Sequence, residues 1–339
     1  MKAFELQNIT RPNIWNLKPY SSARDEFTGS EGVFLDANEN PYGNKNRYPD
    51  PHQRQLKAEL AKRKQIPVEH IFIGNGSDEV IDLVYRVFCE PGKDKVILCP
   101  PTYGMYEVSA NINNIGIINI PLTDDFQLNV DEILKKQAKC LFICSPNNPT
   151  GNSLDHIDDL LRAFNGIVIV DEAYIDFCPE KSYIQKLSQF PNLIVMQTFS
   201  KAWALASARV GAAYASKEII HLMDKTKPPY NVSAFNQKEA LDALRHPELY
   251  DERVSEILVQ KKLLEQELPR LEIVKKVYPS DANFLLVEVT DANRIYKQLV
   301  EQKIITRNRN NQIAACIRIT VGTPDENNAL IEAMKRIRL

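Results

Sequence analysis

The chain has 339 residues, 44% hydrophobic and 25% charged, and its 42 Lys and Arg against 44 Asp and Glu leave a formal charge of −2. That length and apolar content suit about two domains, and the near-neutral balance lacks the basic excess of a nucleic-acid-binding protein. The opening residues carry no apolar run of signal-peptide length, and no stretch approaches the ~18 apolar residues that span a bilayer; a cytoplasmic protein without membrane contact is expected.

The first forty residues show little periodicity and read as an N-terminal arm, residues 1–35, packing on the second domain or on a neighbouring subunit. From about residue 71, short β-branched runs alternate with helical patterns, which signals an α/β domain on a largely parallel sheet. The runs are Ile71–Ile73, Val96–Cys99, Ile115–Ile120, Leu141–Cys144, Ile167–Val170, Leu193–Gln197 and Val210–Tyr214. Most are apolar at successive positions, as in strands covered on both faces. Between them, Ser77–Cys89 has a helical face of Val80, Val84, Val87 and Phe88, closed by Pro91-Gly92. The large domain is placed at 36–235. A charged helical stretch then runs from Ala234 to about Leu268 with a break at Pro247. A strand at Asn283–Val289, a helix near Ala292–Gln302, a strand at Cys316–Val321 and a closing helix from Pro324 make residues 236–339 a smaller α+β domain. Cys89, Cys99, Cys140, Cys144, Cys178 and Cys316 lack C-x-x-C spacing and read as reduced core thiols; the five histidines form no i,i+3 or i,i+4 pair, so no metal site is expected.

In open α/β sheets ligands bind beyond the carboxyl ends of the strands. Three such ends are followed by Ser145-Pro146-Asn147-Asn148-Pro149-Thr150-Gly151, by Asp171-Glu172-Ala173-Tyr174 and by Thr198-Phe199-Ser200-Lys201. An amide, an acid and an amine then converge on one rim. A lysine condenses with a carbonyl only when unprotonated, which favours a partly desolvated, electropositive pocket. Most lysines are solvated surface groups, so Lys201 alone is a weak signal. Asp171 caps four apolar residues, where an acid needs a partner; a helix cap or a turn acid is the plainer alternative.

The sequence resembles the fold-type I pyridoxal-phosphate aminotransferases of the class I/II group, and within them the histidinol-phosphate aminotransferases. The likeness lies in Leu17–Tyr20, Leu35–Pro41, Arg47-Tyr48-Pro49, Ser145–Gly151, Asp171–Tyr174, Ser200-Lys201-Ala202 and Arg318–Gly322, in family order over nearly the whole chain. It implies a large domain with a mostly parallel central sheet flanked by helices, plus the smaller α+β domain. It also implies pyridoxal 5'-phosphate as cofactor. Lys201 would carry the cofactor aldehyde and shuttle the substrate proton, Asp171 would pair with the pyridinium nitrogen, and Asn148 and Tyr174 would bond the ring's 3-oxygen. Tyr103 would stack on the ring, against the plain alternative of a core aromatic. The phosphate would lie on the amides of Gly76, Ser77 and Asp78 at a helix start, with Ser200, Arg209 and Tyr48 of a partner subunit. Arg209 is flanked by Ala206, Ala208, Val210 and Gly211, and a buried guanidinium there would need an anion; a surface charge is the alternative.

For the substrate, the resemblance implies Arg318 as a bidentate clamp, with Arg307, Tyr20 and Asn38 as further contacts. Arg309 lies close to Arg307, and the interval to Arg318 is shorter than the family pattern. The implied reaction exchanges an amino group between L-histidinol phosphate (with its ketone, imidazole acetol phosphate) and glutamate with 2-oxoglutarate, in a homodimer of histidine biosynthesis. Alternatives are a threonine-phosphate decarboxylase-like lyase, an aromatic amino acid aminotransferase, and a non-enzymatic cofactor-binding module.

Overall fold

The structure is a computed structural model that describes residues 4–20 and 32–337. Residues 1–3 and 21–31 of the expected arm lie outside the described residues. The central sheet has seven strands: β1 (Ile71–Gly74), β2 (Lys95–Leu98), β3 (Gly116–Asn119), β4 (Cys140–Cys144), β5 (Ile167–Asp171), β6 (Leu193–Thr198) and β7 (Gly211–Ala215), in the order β1-β7-β6-β5-β4-β2-β3. Pairing is parallel from β3 through β6, while β7 is antiparallel to both β6 and β1. Only β7 therefore runs against the rest, as a mostly parallel sheet requires.

The apolar runs become strands because helices cover both faces. Ile97, Leu141, Ile143, Val168, Val170 and Val195 pack into one layer, and Val96, Leu98, Phe142, Ile167, Ile169 and Met196 into the other. The edge strand β3 is half-exposed and shorter than its apolar run.

Pro247 stands at the first turn of the helix Pro247–Glu267 and separates it from the helix Ala234–Arg245, so the charged stretch is two helices. A second sheet is antiparallel throughout, order β10-β11-β9-β8, built from β8 (Val274–Val277), β9 (Phe284–Val289), β10 (Arg307–Asn308) and β11 (Cys316–Thr320). Sequence reading found β9 and β11 and missed β8 and β10. One face of this sheet, with Leu285, Val287, Ile317 and Ile319, is covered by Leu264, Ile295, Leu299 and Leu330 of its helices. From the other face Phe284 meets Tyr174, Phe177 and Ala202 beyond β5 and β6. Among the described residues no helix is long and apolar enough to cross a membrane.

Candidate active site

Where the carboxyl ends of β4, β5 and β6 meet the second sheet, a cavity of about 440 Å³ is lined by Asn148, Asp171, Tyr174, Ser200 and Lys201, among others. Adjacent residues of an extended chain point to opposite faces, so Asp171, which ends β5, and Glu172, which follows it, diverge. Asp171 is 4% exposed; it accepts from the Tyr106 hydroxyl at 2.5 Å and from the Ala173 amide at 3.0 Å. Glu172 turns away and accepts from the Ser182 hydroxyl (2.5 Å), the Tyr183 amide (2.6 Å) and Gln197 (2.9 Å). Burial pushes the Asp171 carboxyl up to about 6, against the pull of its hydrogen bonds.

Lys201 follows β6 and is half-buried in the same cavity. Burial, and then the Arg318 charge, lowers its pKa, while Asp171 opposes the shift. An amine so displaced holds more free base at a given pH. Its Nζ lies 5.5 Å from the centre of the Tyr174 ring. Asn148 donates to the Tyr174 hydroxyl at 3.4 Å and accepts from Arg318. Arg318, on β11, lies over Phe284 at 5.1 Å, and its Nε is buried without a partner. Arg307 sits opposite Arg318 in the ladder and also lines the cavity.

At the far wall Gly76 begins the helix Ser77–Phe88 with φ +78°, and no side chain caps that helix. The first-turn amides are thus left for an anion. Two glycines permit close approaches: a Cβ on Gly76 would lie 2.7 Å from the Arg209 guanidinium, and one on Gly211 would lie 2.4 Å from the Ser77 backbone nitrogen. Arg209 pairs with Asp78 at 3.1 Å, and the Tyr103 hydroxyl donates to the same carboxylate at 3.2 Å. The Arg209 side chain is 45% exposed, which corrects the expectation of a buried guanidinium. It stands in a left-handed backbone conformation (φ +50°), outside the apolar surroundings that its sequence neighbours suggested.

Ser77, Asp78, Tyr103, Asn148, Asp171, Tyr174, Ser200, Lys201, Arg209, Arg307 and Arg318 therefore line one cavity, with Gly76 against its wall. Tyr20, Asn38 and Tyr48 are not brought to it within a single chain: all three are exposed, and Tyr48 stacks on Tyr230 at 4.4 Å. Sequence reasoning gave no role to Tyr106, Cys144 or Thr198, and Arg309, named there only as a neighbour of Arg307, also lines the cavity. Tyr106 had one faint signal, its place a helical turn beyond Tyr103.

The family model for aminotransferase class I and II matches residues 32–334, and the chain belongs to that family. Its relatives include the histidinol-phosphate aminotransferase of Cytophaga hutchinsonii, 54% identical over 98% of this chain and 99% of that one. The histidinol-phosphate aminotransferase of Parabacteroides distasonis is 51% identical over 99% of each chain. Among solved structures, the Sinorhizobium meliloti histidinol-phosphate aminotransferase in complex with pyridoxal-5'-phosphate shares the fold at TM-score 0.78, with 23% identity over 85% of this chain and 82% of that one.

Proposed function

We propose that this chain is a pyridoxal-phosphate-dependent enzyme that exchanges an amino group between L-histidinol phosphate and 2-oxoglutarate, giving imidazole acetol phosphate and glutamate. One observation carries the reading: a pKa-lowered amine, a buried carboxylate and an arginine wall share one cavity. The relatives named above support the choice of substrate.

The residues suit the cofactor. Asp171 is a buried acid with a hydroxyl and an amide on its oxygens, ready for a ring N–H cation. The uncapped helix start, with Gly76, Ser77, Asp78, Ser200 and Arg209, suits a phosphate. When bound, pyridoxal phosphate supplies an electron sink for the carbanion formed at the substrate's amino-bearing carbon. Lys201 Nζ takes and returns the proton of that carbon. Asp171 holds a proton on the ring nitrogen. Asn148 and Tyr174 would orient the ring through its 3-oxygen, and Tyr103 would stack on it. Arg318 and Arg307 grip the acidic ends of the substrate, joined by Tyr20 and Asn38.

The working unit is a homodimer in which Tyr48 of the partner subunit reaches the phosphate. The divisions at 1–35, 36–235 and 236–339 are its arm, large domain and small domain. Six free cysteines suit a reducing cytoplasm. Incubation with histidinol phosphate and 2-oxoglutarate should yield glutamate stoichiometrically; carbon dioxide from threonine phosphate would instead make the chain a lyase. Borohydride reduction of the loaded protein should fix the cofactor to the Lys201 peptide and leave Lys201→Ala unlabelled. Label on another lysine overturns the assignment.

A further inference from the structure

Lys201 stands in a segment that is neither helix nor strand. The chain from Phe199 to Leu205 closes on itself through two backbone bonds, the Ala204 amide to the Lys201 carbonyl at 3.1 Å and the Leu205 amide to the Phe199 carbonyl at 2.9 Å. The turn after β5 carries Tyr174 and leads into a short helical turn, Ile175–Phe177. Backbone pairing between the two strands stops short of both turns. Its last bond runs from the Glu172 amide to the Met196 carbonyl at 2.8 Å, and among the described residues no backbone hydrogen bond links 173–178 to 199–205. The placement of Lys201 against Asp171 and Tyr174 is therefore left to side chains.

One side chain reaches both turns. Tyr250, on the helix Pro247–Glu267, donates its hydroxyl to Asp176 Oδ1 at 2.7 Å, two residues beyond Tyr174. Its ring stacks on Trp203, two residues beyond Lys201, with centroids 4.2 Å apart and planes inclined by 29°. The Arg63 guanidinium lies over both rings, 4.7 Å from the centre of Trp203 and 4.9 Å from that of Tyr250. Burial, and then Asp176, pushes the Tyr250 hydroxyl above the usual phenol range, so it stays a donor. A hydrogen bond is directional, and a stacked ring pair capped by a cation resists sliding. Together they fix the two turns more closely than does the apolar cluster of Tyr174, Phe177 and Ala202 beside them.

We infer that Tyr250 is a positioning residue: by holding Asp176 and Trp203 at once, it sets the placement of Lys201 against Asp171 and Tyr174. The inference rests on the proposed function for the reaction that this placement serves, but not for the placement itself. Burial and the charges of Arg318, Asp171, Arg209 and Asp78 act on the Lys201 amine, so a shift of its turn registers there.

The test compares wild type with Tyr250→Phe, which keeps the stack and drops the hydrogen bond, and Tyr250→Leu, which drops both. In cofactor-free protein, acylation of Lys201 by acetic anhydride is followed across pH by peptide mass. Its midpoint should rise by about half a pH unit or more in Tyr250→Phe, because a loosened turn admits water to the amine, and further in Tyr250→Leu. In the loaded enzyme, Tyr250→Phe should lower kcat about tenfold and leave KM for the amino donor within about twofold, as when reacting groups are misaligned and substrate binding is kept. A contact that only packs the fold would lower unfolding stability and leave the Lys201 midpoint alone. An unmoved midpoint in Tyr250→Phe thus overturns the positioning role, whatever becomes of stability or turnover. Should the wild type transfer no amino group, the functional reading fails; a raised Lys201 midpoint in Tyr250→Phe would still uphold the positioning role.

Discussion

Replacing Asp171 by Asn should make the cofactor-free protein more stable while crippling its chemistry. The Asp171 carboxyl titrates near its ordinary 3.8 in the unfolded chain and is pushed up to about 6 in the fold, with burial as the first cause. Between those values the folded state holds a proton that the unfolded state has released, so this group's contribution to stability falls as pH rises. By pH 7 the cost is nearly complete: a displacement of about two pH units at about 1.4 kcal/mol each, or about 3 kcal/mol. Asn has the same shape and no charge. Its carbonyl can accept from the Ala173 amide, and its NH₂ can donate to the Tyr106 hydroxyl oxygen while that O–H turns to the Cys144 sulfur, so neither neighbour is stranded. Thermal or urea unfolding of cofactor-free protein at pH 8 should therefore show Asp171→Asn above wild type by up to about 3 kcal/mol, with the gap cut to about half at pH 5. In the loaded enzyme the order of merit reverses: turnover should drop about 100-fold or more, because a neutral amide cannot hold the proton on the ring nitrogen. A variant less stable than wild type at pH 8, or a gap that does not narrow towards pH 5, would refute the view of Asp171 as a desolvated charge awaiting a cation.

Tyr106→Phe removes the hydroxyl that helps keep Asp171 ionised. Losing one such bond, about 1.5 kcal/mol, should raise the acid by about one pH unit. Cofactor affinity of the cofactor-free protein is lost as pH falls through the Asp171 pKa, so its half-point should move up by that amount in a fluorescence titration; superimposable profiles would deny Tyr106 this role. The proposed dimer predicts that sedimentation finds twice the 38.7 kDa chain mass. Inactive Lys201→Ala and impaired Tyr48→Phe subunits should also regain activity when mixed, since one site of each hybrid has both native groups. A fully active monomer would contradict both expectations.

The large sheet was legible because strands buried on both faces cannot hide their composition: β4 is apolar throughout, β5 and β6 each open with four apolar residues, and every residue of the three is buried. The strands that escaped notice are those without that constraint. β8 reads Val-Lys-Lys-Val with its lysines exposed, and β10 is Arg-Asn, held in the ladder by pairing with β11 rather than by its own side chains. Edge strands answer to one neighbour and to water, so their sequences carry little of the alternation or bulk that marks a strand.

The site divides along a related line. Lys201, Asp171 and Asn148 could be placed because each follows a strand whose end is visible in the sequence, and parallel strands bring their carboxyl ends to one rim. Tyr106 could not, because its role is a contact to a residue 65 positions away, made from a helix whose own pattern gives no reason to single it out. Arg209 lines the same cavity as Lys201 and Asp171 but not in the apolar surroundings its neighbours suggested: it takes a left-handed backbone just before β7 and is 45% exposed. Tyr20, Asn38 and Tyr48 mark the limit of any single-chain reading. Near them Val33, Leu35 and Tyr42 stand 84% exposed or more, apolar side chains that the proposed dimer would draw on. The mixing experiment tests that association through Tyr48, whose hydroxyl must come from the other subunit for a hybrid site to work.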